Sequence, residues 1–123
     1  EPLMLMPPPT TTHQLAWNKG VWSWNLEYQW TSEQTRFPSY NIAVFIPTEN
    51  STVDVDLSSP PSAYGLWHTR LEYQVTTPGK IQPKIGLSLR NATNLNYRNY
   101  LNRLRFYADD LGRSLQLYTI LKF

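Results

Sequence analysis

Lys19-Gly20-Val21-Trp22-Ser23-Trp24-Asn25-Leu26-Glu27-Tyr28-Gln29-Trp30-Thr31 is the stretch whose reading decides the fold. Trp22, Trp24, Leu26, Tyr28 and Trp30 fall on alternate positions, with Ser23, Asn25, Glu27 and Gln29 between them. Side chains of a strand point to opposite faces with period two, so the pattern specifies a half-buried β-strand with one bulky and one polar face. A helix would scatter the same five large groups around its circumference.

The stretch recurs. Gly65-Leu66-Trp67-His68-Thr69-Arg70-Leu71-Glu72-Tyr73-Gln74-Val75-Thr76 aligns with Gly20 to Thr31, with Gly, Trp, Leu, Glu, Tyr, Gln and Thr identical in both. Weaker similarity continues, so that 20–46 and 65–91 read as two copies of one supersecondary unit. Chance convergence of two strands with one binary pattern would explain the apolar matches, but not the shared Glu-Tyr-Gln.

With 123 residues, the expectation is one domain, 13–123, behind an extended arm, 1–12. There is no cysteine, which removes disulfides, thiolate chemistry and cysteine metal sites. The net charge of +2 is too small to argue for nucleic acid. Aromatic residues make up 14% of the chain, which favours a β protein with an aromatic core or binding surface. No apolar run is long enough for a membrane-spanning helix. Because the chain starts at Glu1, the expectation is a processed product outside the cytosol, in an organelle lumen, the periplasm or secreted. Asn50-Ser51-Thr52 and Asn91-Ala92-Thr93 are glycosylation acceptors only in a secretory pathway.

Pro2, Pro7, Pro8 and Pro9 lack backbone donors, so the arm is expected to be extended and outside the core. Leu3, Met4, Leu5 and Met6 make it apolar enough to lie on another protein, and Met6 to Pro9 join them as the expected partner-binding segment. A frayed terminus is the competing reading. Thr12 to Asn18 reads as one helical turn. Further strands are expected over Tyr40 to Ile46, Val53 to Leu57, Gly65 to Thr76, Ile85 to Arg90, Leu101 to Tyr107 and Ser114 to Phe123. Asp109-Asp110-Leu111-Gly112 supplies hairpin turn chemistry between the last two. The fold class is then all-β: an antiparallel up-and-down barrel or strongly curved sheet, with closure removing the edges.

Gly20-Val21-Trp22 resembles the Gly-x-Trp signature of lipocalin-like barrels, and Gly65-Leu66-Trp67 is a second copy. The ending from Arg103 to Lys122 looks like the final hairpin of lipocalin-like proteins of cyanobacteria and plastids, a group that includes bilin lyases. The resemblance covers about a quarter of the chain. It implies that Trp22 plugs one end of a barrel and that Arg103, Arg105 or Lys122 packs over it. It also implies a plastid or thylakoid setting and a pigment or other apolar ligand; peripheral membrane association is a separate expectation. Trp22, Trp24, Tyr28, Trp67 and Tyr73, with Arg103 and Arg105, are the candidate ligand-binding residues. A solid barrel filled by those aromatic side chains is the alternative.

His68, Arg70 and Glu72 share the polar face of the second long strand, where they would bind a ligand carboxylate or form a solvated charge ladder. Asp54 and Asp56 are too few for a cation site. No nucleophile triad, phosphate loop or zinc motif is present, so no catalytic residue, metal or required cofactor is expected, and the chain reads as a non-enzyme. Two main functions stay open: a structural accessory subunit docked through the arm on a larger, photosynthetic assembly, and a binding or chaperone module for an apolar ligand. A carbohydrate-binding module is a third, because exposed tryptophans stack on sugars.

Overall fold

The computed structural model describes residues 6–36, 42–46, 51–55, 60–102 and 108–123. Seven strands lie within them: β1 (Thr10–Lys19), β2 (Trp22–Thr31), β3 (Ile42–Ile46), β4 (Ser51–Val55), β5 (Tyr64–Gln74), β6 (Gln82–Arg90) and β7 (Ser114–Lys122). No helix occurs among the described residues. The chain divides into two compact units, one of Glu1–Thr10, Thr31–Tyr64 and Tyr97–Asp110, the other of Thr11–Trp30, Gly65–Asn96 and Leu111–Phe123.

The second unit carries a five-stranded antiparallel sheet in the order β1-β2-β5-β6-β7. It is not a closed barrel: among the described residues β1 and β7 are edges. The five strands follow chain order across the sheet, with β3 and β4 lying between β2 and β5 in the sequence. The expected helical turn at Thr12 to Asn18 is corrected to the inner part of β1. His13, Leu15 and Trp17 alternate there with Gln14, Ala16 and Asn18, a period-two pattern that continues across the hairpin into β2. Gly20 and Val21 make the two-residue turn. Gly20 has φ of +57° and Val21 has no positive φ, the pattern of a type II′ turn.

The two similar strands are neighbours. Because β2 and β5 are antiparallel, Trp22 stacks on Tyr73 with ring centroids 4.7 Å apart, and Tyr28 stacks on Trp67 at 4.6 Å. Each contact joins the tryptophan of one copy to the tyrosine of the other. Beyond them the copies differ in partners: β3 pairs with β4, whereas β6 pairs with β5 and β7.

Register fixes the rest of the sheet. Leu71 lies opposite Leu87 and Leu87 opposite Leu117, while Glu72 lies opposite Gly86 and Gly86 opposite Tyr118. Gly86 has a steric reason: the Tyr118 ring occupies the place where a Cβ would stand. The ring crosses the glycine, and its hydroxyl donates to Glu72 Oε1 at 2.7 Å. Lys84 Nζ lies 3.4 Å from the other carboxylate oxygen of Glu72. Gly65 is similarly covered by Tyr28.

In the first unit, β3 and β4 form an antiparallel pair with Val44 opposite Val53. The described part of the arm is tied to its own unit. Pro9 O accepts from Ser32 N at 2.9 Å, and Met6 O accepts from Gln34 Nε2. Proline lacks a donor but keeps its acceptor, so these prolines are no bar to such pairing. The arm also ends sooner than expected, since Thr10–Thr12 belong to β1. The strand expected at Leu101 to Tyr107 is absent at Leu101 and Asn102, and its remainder lies outside the described residues. The first strand of the hairpin expected around Asp109 and Asp110 lies largely outside the described residues, and the described partner of β7 is β6. The two aspartates hold the preceding loop: Asp110 accepts from Asn99 N at 2.6 Å and Asn102 Nδ2 at 2.9 Å, and Asp109 pairs with Arg98 at 2.6 Å.

Gly86→Ala should destabilise the protein by about 1–3 kcal/mol, the range for overpacking a filled position. The same substitution made in Tyr118→Ala should be close to neutral. Urea melts of the four proteins of this cycle check the coupling; additive effects would show that the ring does not lie on the glycine.

Candidate functional site

Alternation gives the sheet two faces of different chemistry. One face carries Leu15 and Trp17 from β1, the five large residues of β2, Trp67, Leu71 and Tyr73 from β5, Ile85 and Leu87 from β6, and Leu115, Leu117 and Leu121 from β7. Most of these are solvent-exposed, Trp22 to 44% and Leu117 to 72%. Only Leu66 and Tyr100 among the described apolar residues are buried. The expected barrel plug is therefore overturned: Trp22 lies on an open sheet and stacks on Tyr73. A strand face packs a core only when a second layer covers it, and the described residues of this face stay largely exposed.

The candidate ligand residues Trp22, Trp24, Tyr28, Trp67 and Tyr73 all lie on this face. Trp24 donates its indole N–H to Thr69 Oγ1 at 2.8 Å, and Thr69 in turn donates to Asn25 O at 3.3 Å. Trp17, Trp24, Thr69, Leu71 and Leu87 line an open apolar hollow of about 530 Å³. Arg103, Arg105, Leu3, Met4 and Leu5 lie outside the described residues, as does Asp56. In the described arm, Met6 and Pro8 are half-buried and Pro7 and Pro9 are exposed. Trp17 and Leu15 were hidden by the helical reading of β1, although their alternation with Gln14 and Ala16 carries the signal.

The opposite face is polar. The trio His68, Arg70 and Glu72 separates into two groups. Glu72 is a hub for Tyr118, Lys84 and Arg70, the last at 4.0 Å. The hydrogen bond from Tyr118 holds its carboxyl below the usual range, aided by the charges of Lys84 and Arg70 and opposed by burial. Burial raises the Tyr118 hydroxyl, and the bonded Glu72 raises it further. This is the charge ladder.

His68 is 9% exposed and is bound differently. Its Nδ1 accepts the backbone N–H of Asn91 at 3.0 Å, so Nε2 carries the proton of the neutral ring. Nε2 is buried with no hydrogen-bond partner. Burial pushes the His68 pKa down, as does the charge of Arg90, against an opposing effect of Glu27. Asn91 is the residue that builds this end of the sheet. It has φ of +48°, a conformation asparagine tolerates better than most residues. Its side chain donates to Leu95 O at 2.8 Å and accepts from Leu95 N at 3.0 Å. Sequence reading treats it only as a glycosylation acceptor.

Among the described residues no three His, Cys, Asp or Glu side chains are grouped to hold a metal, and no helix is long and apolar enough to cross a membrane. No family model, no curated protein and no solved structure matches the chain.

Acid sensitivity should follow from His68 and Glu72. Both folded pKa values are depressed, so the unfolded chain binds more protons and stability falls with falling pH. The His68 contribution is complete above its ordinary value of 6.5 and is lost as pH drops from there through the lowered folded value. The Glu72 contribution is lost in the same way below 4.5. His68→Asn keeps an acceptor for Asn91 N–H but cannot titrate, so it should flatten the upper step alone. Tyr118→Phe should weaken the lower one. Denaturant midpoints between pH 8 and pH 3 resolve the two steps; a wild-type midpoint constant between pH 7.5 and 5 would refute the role of His68.

Proposed function

We propose that the chain is a non-catalytic structural subunit of a larger protein assembly, built in through the apolar face of its five-stranded sheet. The observation that carries this reading is the exposure of tryptophan and leucine across every strand of that face. Soluble monomers rarely leave a contiguous apolar patch larger than about 300–600 Å² in water. Five strands about 4.8 Å apart, each of about nine residues at about 3.3 Å per residue, span roughly 700 Å². That is close to the ~800 Å² per partner of a specific protein interface. None of the inner side chains is charged, so an apolar sheet laid on it meets no unpaired ion. Such a layer supplies the missing half of a two-layer β fold, with sheets about 10 Å apart.

The open hollow beside Trp17 and Trp24 supports a second reading, an apolar ligand or pigment. Its volume of about 530 Å³ lies in the ~300–1,000 Å³ range of small-molecule sites. On this reading the ring of Trp24, anchored through Thr69, is a flat platform for the ligand.

Wild-type chain at micromolar concentration should sediment above the monomer mass, with its tryptophan emission shifted to the blue as it associates. Leu117→Lys and Leu71→Lys, made separately, should return it to a monomer. Their stability should change by no more than about 0.5 kcal/mol, as for other surface substitutions. A wild-type chain that stays monomeric, soluble and red-emitting at high concentration would sink the assembly reading. Saturable one-to-one quenching of such a monomer by a flat apolar probe, lost in Trp24→Ala, would establish the ligand reading in its place.

A further inference from the structure

The polar face holds a second hollow, of about 190 Å³, across β1, β2, β5 and β6. Arg70 and Ser88 stand opposite one another in it, and the next same-face position along the two strands brings His68 against Arg90. Asn25 and Glu27 of β2 close the side toward β1.

The hydrogen-bonding balance of this lining is uneven. Asn91 fixes the His68 tautomer, so the unpartnered Nε2 is a donor, buried beside the hollow. Buried donors are almost always paired, so one without an acceptor calls for a group that the protein alone does not supply. Among the described residues the guanidinium of Arg90 also has no hydrogen bond or ion pair. Arg70 touches Glu72 at the 4.0 Å limit and also acts on the Tyr118 hydroxyl, with its side chain 55% exposed. The one acidic side chain, Glu27, already accepts from Gln14 Nε2 at 2.6 Å. With His68 neutral, two arginines against one carboxylate leave the lining one positive charge.

We propose that this hollow is a binding site for a small oxyanion, a phosphate or a carboxylate, held by Arg90 and Arg70 beside His68. Planar guanidinium groups present paired donors that match the oxygens of either anion. The volume admits a group of that size and excludes a nucleotide. Glu27 sets a ceiling on affinity, because its charge repels the ligand that the arginines attract. The site is independent of the assembly reading, since it lies on the opposite face.

The test uses the full chain, with inorganic phosphate and acetate as separate probes at constant ionic strength and pH 7.5, followed by NMR of the His68 ring nitrogens and by calorimetry. One probe at least should bind saturably and shift the Nε2 resonance of His68. Arg90→Gln, a change at an exposed residue, should weaken binding at least tenfold, and Glu27→Gln should strengthen it. Arg113→Gln, away from the hollow, should change nothing. Phosphate binding alone assigns a phosphate site, acetate binding alone a carboxylate site, and binding of both a general oxyanion site. Shifts that never saturate, or that respond equally to Arg113→Gln and Arg90→Gln, overturn the proposal and leave a surface that attracts anions without a site. Binding unchanged in Arg90→Gln overturns it as well.

Discussion

The pairing of β2 with β5 is the constraint on which the sheet depends. Side-chain direction alternates at every residue, so a register shift of one position would exchange the two faces. Trp22 on Tyr73 and Tyr28 on Trp67 pin the register at both ends of the pair. Between them Trp24 reaches Thr69, and beyond them Gln74 N donates to Val21 O at 2.8 Å. Aromatic pairs of this kind contribute about 0.5–1.5 kcal/mol each beyond the area they bury.

The faces meet water in different ways. On the polar side, Glu72, Tyr118, Lys84 and Arg70 satisfy one another across three strands, and Gly86 gives the tyrosine room to reach. On the other side the same strands present exposed leucine and tryptophan. At one edge, β7 presents Ser114 to Lys122 without proline or a bulge. Its one charged side chain is Lys122, so it lacks most devices that keep edge strands from pairing.

Much of this was legible in the sequence, and the limits have physical causes. The alternation in Trp22 to Trp30 and in Leu115 to Leu121 placed β2 and β7 and gave each the right two faces. What period two cannot supply is the number of layers. Aromatic side chains in alternation look the same whether they fill a barrel, as Trp22 was expected to, or lie uncovered on an open sheet. Strand order was equally hidden, because β5 joins β2 across a long connection that no local signal announces. His68 looked like part of a ladder with Arg70 and Glu72. Its partner, Asn91, lies 23 residues on, in a left-handed backbone conformation that only the fold makes useful.

The two faces are joined through Thr69. Thr69 belongs to the apolar face through the hydrogen bond it accepts from Trp24, yet it donates to the carbonyl of Asn25, whose side chain lines the polar hollow. Thr69 also borders both hollows. Neighbouring residues on a strand face opposite ways but share a peptide plane, so ordering one side restricts the other. A layer packed over Trp24 would hold the β2–β5 backbone in place. That would lower the ordering cost of a ligand beside Asn25 and His68. A bound ligand would in turn favour the covered sheet by the same free energy, because coupling between two binding events is reciprocal.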